Sequence, residues 1–510
     1  MSNVAENNKR IAKNTILLYL RMFLVMAITL YTSRVILKVL GVSDFGIYNV
    51  VGGVVLMMST LNNAMTVSTQ RFLTYELGCA DPVRMKRTFS VCMTIFILLA
   101  LLVLIFGETV GLWFVNTQLV IPPDRLKAAN WIYQFSIISC IISLLSNPYN
   151  ATIVAHEKMN VYAYVGILEV LLKLVIVFLL ALFPFDNLIV YGFLVCLTTF
   201  IVTILYRFYC VRHFSEAKFQ ICFDKQLFKE IGVYSGWNLF GALSGIAKGE
   251  GLNILINVFF GPAVNAARGI AYQVNNAVAS FFSNFYMAVR PQITKYYARK
   301  ELQNMFDLVF RSSKMAFILI MLISLPLIIE APYVINLWLG QTPDYVIPFV
   351  RLILIITVVD SMSTPLMTAI HATGNIKVYQ ISVGLIMMMT LPLSYIALKL
   401  GASPISVFVI SLFLSFISLF VRLGITSKQL QFPFWSYVKE VVLKAIITIV
   451  ISSIIPIALH NSLVNNTFIT LVIVTIFSIV AFLIVSYLLY LNKKEKAYIR
   501  NLVLSKLKRS

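Results

Sequence analysis

Charge is scarce in this chain, and so is anything that would build a soluble catalytic domain. Only 12% of the residues are Asp, Glu, Lys or Arg, whereas 60% are hydrophobic, and the mean hydropathy is +0.89. A water-soluble fold could not hide that much apolar surface in its core, so the chain reads as an integral membrane protein. Histidine is rarer still: His156, His213, His371 and His460 are scattered at expected helix ends or loops, a poor basis for a metal centre. Cys79, Cys92, Cys140, Cys196, Cys210 and Cys222 show no C-x-x-C spacing and suggest neither a disulfide framework nor a metal site. A Walker loop, a G-x-S-x-G elbow, an H-E-x-x-H pair and acidic residues spaced for a metal-bound nucleotide sugar are all missing. The expectation is a protein that is not an enzyme and needs no cofactor or metal.

Acidic residues are the scarcer charge, 20 against 41 basic ones, for a net +21. In a soluble protein that excess would point to nucleic acid. Here most basic residues fall in alternate connections, such as Lys9, Arg10 and Lys13, then Arg84, Lys86 and Arg87, then Lys158, then Arg207 to Lys229, and finally the tail "KKEKAYIRNLVLSKLKRS". The intervening connections hold only Lys38, Arg125, Lys127 and Lys399. This positive-inside asymmetry places both termini in the cytoplasm and gives the basic residues anionic lipid rather than nucleic acid to meet. The N-terminal stretch lacks a cleavage site after a short apolar core, so the first helix reads as a retained anchor.

What is present in abundance is apolar runs of about 20 or more residues, each able to cross roughly 30 Å of hydrocarbon as a helix. Helices are expected near 14–38, 46–71, 88–114, 127–154, 161–183 and 188–209. A second set lies near 233–259, 265–290, 305–328, 346–371, 377–399 and 404–425. Two more, near 438–459 and 467–491, bring the total to about fourteen. The two sets of six resemble each other. "NPYNATIVAHEKMNVY" (147–162) aligns with "TPLMTAIHATGNIKVY" (364–379), Trp113 with Trp338, Arg207 with Arg422, and Gly41 followed by Arg71 with Gly261 followed by Arg290. These pairs keep one order and nearly one offset, which indicates duplication. Six being even, both copies start on the same side, and parallel repeats of this kind belong to transporters that rock two bundles about a midplane site. The expected architecture is all-α and polytopic: a six-helix lobe over 1–209, a cytoplasmic linker over 210–232, a second lobe over 233–430 around a shared central cavity, and two extra helices with a basic tail over 431–510.

Charges within the apolar runs are costly, at least ~2.5–3.5 kcal/mol at a helix centre, and need an offset. Snorkelling to the headgroups is one answer, open for Lys38, Arg71 and Arg290 near helix ends. For Arg34 and for Lys248, near the middle of the seventh helix, a water-filled interior is the better one. Gly241, Ser244, Gly245 and Lys248 share one helix face, while Glu250, Asn253 and Asn257 form another; the small stripe alone would also suit close helix packing. Ser59, Asn62, Thr66 and Thr69 on the second helix, and Gln273, Asn276, Ser280 and Asn284 on the eighth, follow helical spacing. They suit a wet cavity for sugar hydroxyls or phosphate oxygens, or else hydrogen bonds between helices. Interior cations (Arg21, Arg34, Arg71, Lys173, Lys248, Arg268, Arg290, Arg351) outnumber Glu169, Glu250 and Asp360, and Glu169 and Lys173, four apart, are expected to neutralise each other. A positive cavity is what a phosphorylated substrate needs. The candidate substrate-binding residues are therefore Arg34, Lys248, Arg21, Arg71, Arg268 and Arg290. The candidate polar lining is Asn62, Thr66, Gln273, Asn276 and Asn284, and Glu250 and Asp360 are the candidates for ion coupling.

"KNTILLYLRMFLVMAITLYTSRVILKVLGVSDFGIYNVVGGVV" (13–55) with "STQRFLTYELG" (68–78) resembles the start of bacterial polysaccharide and O-antigen flippases, within the multidrug/oligosaccharidyl-lipid/polysaccharide exporter superfamily. The resemblance implies a multi-pass protein of the bacterial cytoplasmic membrane that moves an undecaprenyl-diphosphate-linked oligosaccharide from the inner to the outer leaflet. It further implies an H+ or Na+ gradient as the drive, with membrane lipids and other polysaccharide-assembly proteins as partners. Two rivals stay open: a cation-coupled multidrug exporter of the same fold, and a polytopic polysaccharide polymerase or ligase, for which the external connections near 115–126 and 329–345 look short. The turn "GVSDFG" is expected to leave Asp44 in water and Arg34 facing the gap between the lobes.

Overall fold

The computed structural model describes residues 2–497 apart from 57–58, 118, 120, 181–185, 221, 223, 341, 464–467 and 493–494. Side chains are described from Arg10 onward, apart from those of 52–61, 63–64 and a set between 30 and 50 that includes Arg34 and Lys38. Among the described residues the structure is helical, with no strand. In chain order the helices are α1 (Ser2–Leu56), α2 (Ser59–Cys79), α3 (Pro82–Phe106), α4 (Leu112–Thr117), α5 (Leu126–Ala155), α6 (Met159–Leu180) and α7 (Asn187–His213). Then come α8 (Lys225–Ala298), α9 (Leu302–Ile329), α10 (Ala331–Leu339), α11 (Val346–Thr373), α12 (Lys377–Lys399) and α13 (Ile405–Leu430). The series ends with α14 (Phe434–Tyr437), α15 (Lys444–Ser462) and α16 (Phe468–Val485). Twelve described stretches are long and apolar enough to cross a membrane, one of them the 74-residue α8, which is broken in two at Gly261. The protein is thus a multi-pass membrane protein, and the fourteen expected helices fall on these elements.

Local chemistry sets the starts and breaks. Asp81, Asp186 and Asp224 cap α3, α7 and α8 by accepting the otherwise unpaired first-turn N–H groups. Gly41 breaks α1 at φ 77°, ψ 169°, and Gly261 breaks α8 at φ 78°, ψ −176°. That region is open essentially to glycine alone. The two turns equated by the sequence repeat therefore share one backbone conformation. The second equated segment behaves likewise. Pro148 and Pro365 lie inside α5 and α11, and nine residues beyond each the chain turns left-handed, at Glu157 (φ 59°) and at Gly374 (φ 80°).

The chain divides into two compact units, Met1–Ala242 with Thr294–Lys300, and Leu243–Ile293 with Glu301–Ser510, so the division falls inside α8. In the first unit α5 packs on α2, α3 and α7, and α1 on α6. Its core gathers Leu73, Phe89, Met93, Tyr149 and Tyr206 near one end and Val51, Ile132, Tyr133 and Leu188 in a separate cluster. Ser215–Ala217, within the connection expected as a linker, is a buried turn packed on α3. In the second unit α11 packs between α9 and α13, α12 on α13, and the extra helices α15 and α16 pack on each other and on α9.

Candidate functional site

Four helical segments of the second unit enclose a cavity of about 160 Å³. The first half of α8 contributes Lys248, Leu252 and Ile256, successive turns of one face, and its second half contributes Arg268, Tyr272 and Asn275. From α11 come Ile353, Ile356, Thr357 and Asp360, and from α13 Val407, Phe408 and Ser411, again at helical spacing. Two cations, one carboxylate and four neutral polar groups thus converge on one small space. Its volume suits an ion or a phosphate-sized group rather than a drug-sized ligand, which needs about 300 Å³ or more.

The cations differ in freedom. Arg268 is buried, its Nη2 donates to the Gly249 carbonyl at 2.6 Å, and its guanidinium lies 4.4 Å from the Tyr272 ring centre. Nineteen residues of continuous helix would separate those two groups by about 28 Å, so this bond also shows that the halves of α8 lie side by side. Arg268 is a strut as well as a charge. Lys248 is half-buried and has Asp360 and Arg422 near enough to act on its charge. Arg422 is itself buried and donates to Ser363 Oγ at 2.5 Å, one turn along α11 from Asp360. The Thr357 hydroxyl lies within hydrogen-bond reach of Asn275 Oδ1 and of the Ile353 carbonyl, and its one proton can serve either, linking α11 to α8 at the cavity wall.

The other expected site residues are placed elsewhere. The Arg34 side chain lies outside the described residues. Arg21 stacks 4.5 Å from the Tyr162 ring, over Gly166, where any Cβ would collide with its Nε. Arg71 is buried against Phe72, Tyr75 and Tyr234 at 4.6, 4.9 and 5.6 Å. In the second unit, Arg290 is half-buried and does not line the cavity. Asn62 accepts from Asn147 Nδ2, and the Thr66 hydroxyl donates to the Asn62 carbonyl at 2.8 Å. Gln273 and Asn276 are exposed, one position out of phase with the cavity face, and Asn284 donates to the Ser280 carbonyl of its own helix. Glu250 is exposed and accepts from Asn253 at 3.2 Å, away from the cavity that holds Asp360. Lys173 and Glu169 form the expected pair at 2.7 Å, and Arg351 donates to the Ile328 carbonyl.

Two charged clusters in the first unit have no counterpart in the sequence reading. Arg125 forks between Asp44 and Asp186, donating to Asp44 Oδ1 at 2.9 Å and to Asp186 Oδ2 at 2.6 Å. Asp44 is thus in a guanidinium fork rather than free in water. Burial pushes the Asp186 carboxyl up, but the Arg125 bonds and the N–H groups of Ile189 and Leu188 outweigh it and hold the group below the usual range. The second cluster centres on Glu157, which takes Arg10 Nε at 2.8 Å and Lys295 Nζ at 2.5 Å. Beside it His156 Nε2 lies 2.6 Å from Glu216 Oε1 and stacks on Phe214 at 4.0 Å. Burial raises the Glu216 carboxyl, but His156, the backbone N–H and the Ser215 hydroxyl together hold it below the usual range. The missed cavity residues Tyr272 and Asn275 could have been read from their spacing on Arg268. Nothing in the sequence joins Arg125 to aspartates 81 and 61 positions away.

Neither a known family model nor a curated protein sequence matches this chain. Solved structures do. An outward-facing multidrug resistance MATE family transporter of the MOP superfamily superposes with a TM-score of 0.72 at 12% identity, over 83% of this chain and 96% of the other. A MATE structure in a bent conformation gives 0.71 at 12%, over 84% and 98%. A MOP superfamily transporter from Pyrococcus furiosus gives 0.68 at 12%, over 82% and 96%. The chain has the fold of MATE transporters of the MOP superfamily.

Proposed function

We propose that the protein is a membrane transporter that flips a diphosphate-linked oligosaccharide lipid from the inner to the outer leaflet of the bacterial cytoplasmic membrane, with both termini in the cytoplasm and an ion gradient as the drive. The observation that carries this reading is the convergence of Lys248 and Arg268 on a cavity with a single carboxylate and of phosphate-sized volume. Ammonium and guanidinium groups replace the water that a phosphate loses on entry. A cavity for cationic drugs would call for the opposite sign. Pocket polarity varies on this fold: the Pyrococcus furiosus neighbour is described as having a binding pocket of reverse polarity that suggests a different function.

Lys248→Ala is expected to cut surface glycan at least ~10-fold at an unchanged membrane level of the protein, and Lys248→Arg to keep part of it. Full export by Lys248→Ala would sink the reading. The multidrug reading retains one supporting observation, Asp360 at the cavity wall, a carboxylate a cation could share. Hypersensitivity of a deletion strain to cationic dyes, with normal surface glycan, would favour it.

A further inference from the structure

The chain enters the first unit from the second at 293–294 and leaves it again at 300–301, so Thr294–Lys300 is a seven-residue strap borne by both flanking segments of the second unit. Its attachment is specific. Lys295 Nζ meets Glu157 Oε1 at 2.5 Å, and Cys79 Sγ approaches the Ala298 carbonyl at 3.9 Å. Gly78 is the close-approach residue: a Cβ there would fall 2.5 Å from Ala298 Cβ and 3.2 Å from Lys295 Cα. Tyr297 packs tilted against Tyr75 at 6.3 Å.

Glu157 is the unusual member. It occupies a left-handed backbone position, φ 59°, that the aligned segment of the second copy gives to Gly374. That backbone is a left-handed helix C-cap, which Ala80, Lys300 and Gln431 also adopt, so what sets Glu157 apart is its side chain. Here the side chain is 1% exposed, bonded to Lys295 and Arg10, while the residue's carbonyl accepts from Asn14 Nδ2 at 3.3 Å. Arg10 matters for release. Its side chain is 47% exposed, so it can stay on Glu157 when Lys295 leaves, and the carboxylate is never stranded without a cation.

We infer that Glu157 is the catch of a releasable latch: it holds the 294–300 strap on the first unit in one state of the transport cycle and lets it go in another. The inference rests on the transporter part of the proposed function and not on the substrate. Two measurements test it. In membranes from a chain whose six native cysteines are replaced, a cysteine at buried Thr294 should react with maleimide slowly, and at least ~10-fold faster when Glu157→Gln is added. This readout needs no substrate. In the same background, Glu157→Cys with Lys295→Cys should lose export when the two thiols are bridged by a bifunctional thiol reagent with a reducible spacer, and regain it on reduction, while each single cysteine is indifferent to the reagent. Equal labelling rates with and without Glu157→Gln would overturn the catch, and full export by the bridged pair would overturn the release. If labelling responds as expected while Lys248→Ala exports normally, the latch stands and the diphosphate reading falls.

Discussion

The two copies of the six-helix repeat are held together by different means. The first unit pins its turns with its own charges: Arg125 ties Asp44 at the bend to Asp186 at the start of α7, and Glu157 ties the α5–α6 turn to Arg10. The second unit draws on the extra helices instead. Lys314, buried in α9, reaches Glu440 at 3.5 Å and Glu495 at 3.4 Å; His460 of α15 meets buried Glu330 at 2.8 Å; and Tyr437 donates to the Met362 carbonyl at 2.6 Å. The additional pair thus does for one copy what ion pairs do for the other, and among the described residues it is the second unit that holds the polar cavity, between α8, α11 and α13.

The sharpest way to break this comparison is to strand Lys314. Glu440→Gln with Glu495→Gln leaves a lysine whose side chain is 2% exposed without a counter-charge, and should cost about 3–4 kcal/mol, read as a lowered unfolding midpoint in detergent. An unchanged midpoint would mean the extra helices are not the second unit's clasp. Arg125→Ala is the matching lesion in the first unit. Its partners are partly exposed, so water relieves them and the loss should be smaller, about 2–3 kcal/mol. The pH dependence has a definite sign: because the folded Asp186 carboxyl lies below its unfolded value, its contribution is full above about pH 4 and fades as pH falls through the folded value. Arg125→Ala should lose that acid-side slope, and a slope that survives would assign it to other carboxyls.

Gly111→Ala comes next. Its Cβ would fall 1.9 Å from the Tyr133 hydroxyl, which is buried and donates to the Gly107 carbonyl at 2.7 Å, so the bond must break; about 2 kcal/mol is expected. Gly374→Ala is the mildest, about 1 kcal/mol of left-handed strain with no ion pair touched. A cost like that of the charged lesions would show that the second copy's turn carries more than conformation.

How much of this was visible beforehand follows from range. Apolar runs and glycine positions act over a few residues, so the helices, the repeat and the bends at Gly41 and Gly261 could be read directly. Lys248, Arg268 and Asp360 were recognisable as costly charges inside apolar segments, though not their convergence, which depends on how α8 folds back on α11. Arg21 and Arg71 lie against aromatic rings, contacts that counting charges by depth could not show. Glu157 and Arg125 escaped for the opposite reason: a charge in a turn reads as solvated, and only the tertiary fold reveals it as buried or forked.

The bends at Gly41 and Gly261 turn the chain within a single residue, leaving no slack to absorb a change in length. One residue inserted or removed beside either glycine would rotate everything that follows on that helix by about 100°, and beside Gly261 it would carry Arg268, Tyr272 and Asn275 off the cavity wall together. The copies nonetheless differ in length, since the bends are 220 positions apart and the segments beginning at Asn147 and Thr364 are 217 apart. The three-residue difference must lie in the stretch between, which includes the connections before α5 and α11, where a lost residue shortens a loop without turning a helix. Insertion and deletion scanning should therefore find these glycine turns as intolerant as a helix interior, although they look like loops.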